Sequence, residues 1–146
     1  MARNTLTQRP FAKRDQTIPT LATTKLDVSN MKDGDIAGLA VFQDPYAFIA
    51  VKQEKGKNFI LMVNNGKVID SVAIDASTIY LRTIASNATS KASFQYSTDN
   101  KNFKPIGNDL MMRFSLKIFT GNKFCLFNYA TKQEGGYVDF DWFRVQ

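Results

Sequence analysis

Histidine is absent from the 146-residue sequence, and there is a single cysteine. Without histidine there is no Ser-His-Asp or Cys-His nucleophile, no H-E-x-x-H metal motif and no histidine-ligated zinc. A lone Cys125 excludes an intramolecular disulfide and any CxxC redox or zinc motif. It lies in KFCLFNYA between apolar neighbours, the setting of a buried, inert thiol. Chemistry is left to carboxylates, lysine, tyrosine and hydroxyls.

Long apolar runs are missing too. A stretch such as DIAGLAVF falls far short of the roughly 20 residues that a helix needs to cross a bilayer, so no membrane partner is expected. The opening MARNTLTQRPFAKRDQ is basic and has no apolar h-region, so it is not a secretory signal, and the compartment stays unassigned. The net charge is +6. Much of it sits near the start, where Arg3, Arg9, Lys13, Arg14 and Lys25 face one acid, Asp15. A nucleic-acid binder would carry a basic face through the fold or a known motif. Neither is present, and no nucleic-acid partner is expected.

What the chain has in quantity is strand-forming sequence. Hydrophobic residues make up 44% and aromatics 12%, enough for one domain with a real core over residues 1–146. About ten alternating or β-branched runs follow one another at short spacing, among them TLATTKLDV, AGLAVFQ, YAFIAVKQE, NFILMV, KVIDSVAI, STIYLRTIAS, SKASFQYS, KFCLFNYA and GGYVDFDWFRV. Turn signals separate them: MKDGD, DP, TDNKN and an Asn65-Gly66 step suited to a hairpin with positive φ. The best helical stretch, NDLMMRFSLKIF, reads equally as strand or irregular connection. This pattern predicts an all-β, antiparallel two-sheet sandwich in one domain. FILMV and FCLF do not alternate, which favours a sandwich over an up-and-down barrel, with one sheet carrying material on both faces.

Asp139 and Asp141 stand two apart in the last strand run. In a regular strand they share a face with Cα atoms roughly 6.6 Å apart. Glycosidase carboxyl pairs span roughly 5 to 9.5 Å, but they flank the scissile bond from different sides, which neighbours on one strand do not. A calcium site is the better functional reading, because calcium takes carboxylate, carbonyl and water oxygens. Asp141 is its candidate ligand. The alternative is that both acids are solvated or bond backbone and basic groups such as Arg144. Asp33 and Asp35 around Gly34 lack EF-hand spacing and read as turn aspartates bonding their own backbone, with Gly34 at positive φ. Gly38 inside the next strand signals a close backbone approach or a bulge. Asn87-Ala88-Thr89 fits the glycosylation pattern, which arises often by chance. The segment NTLTQRPFAKRDQTIPT is long and basic, with Phe11 behind Pro10, and reads either as a loop facing a partner or as a loosely held terminus.

RNTLTQR, TKLDVSNMKDGDIAGLAVFQ, IYLR, FQYSTDNKNFKPIG and FTGNKFCLFNYATKQEGGYVDFDWFRV occur in this order, from about Ala2 to Val145. Together they resemble the C-terminal β-sandwich of glycoside hydrolase family 43, the β-xylosidase and α-L-arabinofuranosidase group. The resemblance implies a concanavalin A-like, jelly-roll type sandwich that follows a five-bladed β-propeller, the propeller holding the catalytic carboxylates. The family sandwich starts with a segment ahead of RNTLTQR, so the resemblance also implies a domain shortened at its N-terminus by a strand. A loop after the stretch matching LTQ walls the propeller pocket in the relatives, which makes Phe11 the wall aromatic here and Arg14 a polar contact. A structural calcium would use an aspartate of the last strand, matching Asp141. The expected function is a non-catalytic accessory sandwich with a propeller glycosidase domain as partner and xylan- or arabinan-type saccharide contacted indirectly. A free-standing carbohydrate-binding module and an assembly domain pairing through a sheet edge into a homo-oligomer are the alternatives.

Overall fold

The computed structural model describes residues 3–10, 20–42, 47–86, 91–111, 123–132 and 135–145. They form twelve strands and no helix: β1 (Arg3–Pro10), β2 (Thr20–Asp27), β3 (Ile36–Phe42), β4 (Ala47–Glu54), β5 (Lys57–Asn64), β6 (Lys67–Ile74), β7 (Thr78–Ser86), β8 (Lys91–Ser97), β9 (Lys104–Pro105), β10 (Leu110–Met111), β11 (Lys123–Tyr129) and β12 (Asp139–Val145). The first sheet runs β1-β11-β3-β4-β5-β6 and the second β10-β8-β7-β2-β12, with β9 also on β8. Every pairing is antiparallel. The expected sandwich is therefore present. No described helix is long and apolar enough to cross a membrane.

Local chemistry explains the connections. Asn65 and Gly66 both have positive φ (52° and 82°), as a two-residue hairpin between β5 and β6 needs. Lys55 and Gly56 (52° and 77°) do the same between β4 and β5, although lysine pays no favourable part in that conformation and the glycine carries the turn. The DP step, Asn87-Ala88-Thr89 and most of NDLMMRFSLKIF lie outside the described residues; of the last, Leu110 and Met111 form β10.

The main core lies between the sheets. β7 alternates cleanly, turning Ile79, Leu81, Thr83 and Ala85 inward, where they meet Leu26, Leu39, Ile49, Ile60, Phe94 and Phe124. Thr83 and Thr24 are buried polar exceptions, and each is satisfied: Thr83 Oγ1 donates to the Ser93 carbonyl at 3.0 Å and Thr24 Oγ1 to the Trp142 carbonyl at 2.8 Å. The first sheet has a second buried cluster on its other face, made of Ile36, Ala40, Ala50, Cys125 and Phe127 with Phe48 and Tyr129 against it. That is why FCLF does not alternate: Phe124 and Leu126 enter the main core, Cys125 and Phe127 this second cluster, whereas FILMV sends Ile60 and Met62 to the main core and no residue to the second. Cys125 is buried there as expected.

The turn after β8 is held by one carboxylate. Asp99 accepts the backbone N–H groups of Lys101 and Asn102 at 2.8 and 2.9 Å, and the Ser97 hydroxyl at 2.8 Å. The Asn102 N–H foremost, then that of Lys101 and the Ser97 and Asn102 side chains, hold the Asp99 carboxyl well below its ordinary 3.8. A depressed folded-state value favours the ionised form, so its contribution to stability is present above about pH 4 and is lost as pH falls further. Asp33, bonded first by the Lys55 N–H, and Asp27, bonded first by the Ser29 hydroxyl, act in the same direction. Thermal unfolding followed by circular dichroism between neutral pH and pH 2 should show Tm falling below about pH 4. Asp99→Ala should flatten part of that fall, and a profile parallel to the wild type would show that the turn is not the acid-sensitive element.

Candidate functional site

The last strand does not present its aspartates as a pair. Pairing of β12 with β2 shifts register between Phe140 and Trp142, since Phe140 faces Leu26 and Trp142 faces the adjacent Lys25. Asp141 is the extra residue of this bulge, and the bulge lets Phe140, Phe143 and Val145 all reach the core. Asp141 is 59% exposed in its side chain and pairs with Lys25 Nζ at 3.2 Å. Asp139 is also exposed, opposite Asp27. The outer face of this sheet is cationic and aromatic: Lys25 lies 6.0 Å from the Tyr80 ring centre, Arg144 4.4 Å from that of Trp142, and Arg82 3.7 Å from that of Phe103.

Asp141 is the candidate calcium ligand of the last strand, and its carboxylate already has a cationic partner. An ammonium group occupies the carboxylate's near side, and no group of three His, Cys, Asp or Glu side chains comes together among the described residues. Phe11 and Arg14 lie outside the described residues; β1 ends at Pro10, immediately before them, as the edge strand of the first sheet.

A different aspartate lines a hollow among the described residues. The turn between β2 and β3 packs against the connection from β11 to β12: Thr131 Oγ1 donates to the Gly34 carbonyl at 2.6 Å, and the Tyr137 N–H to the Asn30 carbonyl at 3.1 Å. Between them lies a cavity of about 240 Å³ lined by Met31, Asp35, Asn128, Tyr129, Tyr137 and the Gly135-Gly136 backbone, among others. Gly34 takes φ +86° as expected, and Asp33 bonds across the sheet, its Oδ1 accepting the Lys55 N–H at 2.8 Å. Asp35 is only 7% exposed. Its Oδ2 accepts the Lys32 N–H at 2.8 Å, the backbone role foreseen for it, whereas its buried Oδ1 has no hydrogen-bond partner. A buried acceptor left unpaired costs roughly 1–3 kcal/mol.

Sequence reading treated Asp35 as a turn residue and nothing more. Gly135-Gly136 was the available signal. A Cβ on Gly136 would overlap Asp35 Oδ2 and approach the Lys32 nitrogen to 2.8 Å, so glycine there is required by an aspartate a hundred positions earlier.

Two antiparallel sheets with this crossed strand order, closing on a core between them, define a concanavalin A-like sandwich. The comparisons narrow this further. The family model described as the beta-xylosidase C-terminal concanavalin A-like domain matches residues 2–146, and the chain belongs to that family. It is 34% identical over 144 residues to a beta-xylosidase of Formosa agariphila, spanning 97% of this chain and 23% of that protein. Among solved structures, a bifunctional GH43-CE protein of Bacteroides eggerthii superposes with TM-score 0.82 at 39% identity, covering 88% of this chain and 17% of the other. A GH43 glycoside hydrolase engineered to show both endo-xylanase and exo-arabinofuranosidase activity superposes with TM-score 0.82 at 29% identity, covering 88% and 29%. The chain thus spans less than a third of each of these relatives. In GH43 enzymes this sandwich accompanies a separate catalytic domain.

Proposed function

We propose that the chain is the non-catalytic accessory sandwich of a xylosidase- or arabinofuranosidase-type glycoside hydrolase. It supports a propeller catalytic domain and walls that domain's substrate pocket through Phe11 and Arg14. The observation that carries the non-catalytic part is the state of Asp141. Its carboxylate is displaced by a bulge, paired with Lys25 and exposed on a sheet face, which is no arrangement for protonating or attacking a glycosidic bond. Membership of a family of C-terminal domains, and relatives several times longer, support the partnership with a catalytic domain.

The test uses the pure chain and a chimera in which it replaces the C-terminal sandwich of the Formosa agariphila relative. The pure chain should not hydrolyse aryl xylosides or aryl arabinofuranosides, whereas the chimera should recover much of the activity that truncation of that sandwich removes. Phe11→Ala in the chimera should raise KM with little change in kcat, the signature of a lost pocket wall. Hydrolysis by the pure chain that disappears in Asp141→Asn would overturn the reading.

A further inference from the structure

The outer face of the second sheet carries two arginines that the accessory role does not use. Thr23 of β2 stands opposite Arg82 of β7 on one side and Arg144 of β12 on the other, so the three form one row on the face turned away from the main core. Strands about 4.8 Å apart set the two arginine Cα atoms roughly 10 Å from each other. Both guanidinium groups are held in place. Arg82 lies 3.7 Å from the Phe103 ring centre and its Nε donates to Thr23 Oγ1 at 3.0 Å, while Arg144 lies 4.4 Å from the Trp142 ring centre. Neither pairs with a carboxylate among the described residues. Arg144 is exposed, whereas Arg82 is half-buried, and burial works against its charge with no acid to offset it. Two fixed guanidinium forks, each short of an anion, suit a planar carboxylate.

The neighbouring rows narrow the occupant. Two residues along β2, Lys25 is flanked by Tyr80 and Trp142, and its charge is already met by Asp141. Two residues further, Asp27 is flanked by Thr78 and Asp139. Over roughly 13 Å the face thus runs from free cations, across aromatic residues, to acids. A polyanion charged on every unit, such as a nucleic acid or a polyuronate, would set some of its charges against Asp27 and Asp139. A chain with one carboxylate among neutral units meets the arginines with that group and brings only hydroxyls to the acids. We propose that the Arg82-Thr23-Arg144 row binds an acidic saccharide, a neutral sugar chain bearing a single uronic acid unit whose carboxylate is clasped between the two arginines. The carboxylate chemistry stands on the row itself, and its assignment to a saccharide rests on the accessory reading, in which the chain serves a saccharide-cleaving enzyme.

Amide and arginine Nε chemical shifts of the isotopically labelled chain test this directly. The probes are xylotriose bearing one glucuronic acid branch, plain xylotriose, trigalacturonate, a tetraglutamate peptide and a single-stranded oligonucleotide. The branched acid should shift the Thr23 and Arg144 amides and the Arg82 and Arg144 Nε signals saturably, with an affinity in the millimolar range or tighter. Xylotriose should bind at least about tenfold more weakly, and trigalacturonate more weakly than the branched acid. Arg144→Gln changes an exposed position and should weaken binding of the branched acid about tenfold. Lys25→Gln should weaken it less than about threefold, because Asp141 already holds that charge. Thermal unfolding of each variant reports its folding. The proposal is overturned if the branched acid gives no saturable shifts there, or binds no tighter than xylotriose or trigalacturonate. It is equally overturned if Arg144→Gln binds like the wild type, or if Lys25→Gln loses as much as Arg144→Gln. Tighter binding of the peptide or the oligonucleotide at these signals would give the row to a protein or a nucleic acid instead. None of these readouts involves hydrolysis, so their failure is distinct from hydrolysis by the pure chain, which would overturn the accessory reading.

Discussion

Gly38→Ala is expected to abolish folding, or at least to lower Tm by about 8–16 °C. Gly38 lies in β3 and pairs with Ala50 of β4, inside a six-stranded sheet. A Cβ on Gly38 would overlap the Ile49 carbonyl oxygen and sit 2.6 Å from the Ala50 Cα. Overpacking against side chains usually costs about 1–3 kcal/mol because rotamers give way. Here the obstacle is backbone, and relief requires β3 and β4 to part, with loss of ladder hydrogen bonds between them. A cost of at least about 4 kcal/mol follows, and for a chain of this size each kcal/mol is worth about 2–4 °C. Calorimetry or circular dichroism of the purified variant measures it. A Tm within about 3 °C of wild type would mean that β3 and β4 do not approach as closely as the register implies.

The same glycine shows how far the sequence could be read. A glycine inside a strand run signals either a bulge or a close approach, and the regular β3–β4 register selects the second. Turn chemistry was legible because it is local: Asn65-Gly66 and Gly34 are specified by their own φ requirements. The two-faced first sheet was legible from FCLF, whose failure to alternate is a direct imprint of burial on both sides; FILMV gave the same signal, but none of its residues joins the outer cluster. The bulge at Asp141 was not legible. In FDWF either aromatic can be assigned inward, and only the pairing with Lys25 and Leu26 decides between them. The Asp35 cavity was hidden for a different reason. It is assembled from a turn and a connection about a hundred residues apart, and no local rule links MKDGD to GGY. Resemblance to the family supplied the fold and the accessory role, but it directed attention to Asp141 and Phe11 and away from Asp35.

Phe127→Ala carries the other large expected effect, a loss of about 4 kcal/mol and a Tm lower by about 8–16 °C. Phe127 is 8% exposed, yet it lies on the face of the first sheet turned away from the main core. It meets Phe48 edge-on at 5.0 Å and stacks on Tyr129 at 6.0 Å with 24° between the planes. Truncating a buried phenylalanine costs about 3–5 kcal/mol, and each aromatic pair adds about 0.5–1.5 kcal/mol beyond burial. If this face were only a surface awaiting a partner, the isolated chain would lose less than about 1 kcal/mol, as exposed substitutions usually do. Unfolding of the isolated variant therefore separates a second core from a bare docking face. The distinction bears on function through β11, which carries Phe127 and is the strand that β1 pairs with. β1 ends at Pro10, immediately before the proposed wall residues Phe11 and Arg14 in sequence, and among the described strands it pairs with β11 alone. Weakening that anchor should raise KM in the chimera as well as lower Tm, whereas a core truncation remote from β11, such as Leu81→Ala, should lower Tm and leave KM unchanged. Equal effects of the two variants on KM would sever the proposed link between the outer cluster and the pocket wall.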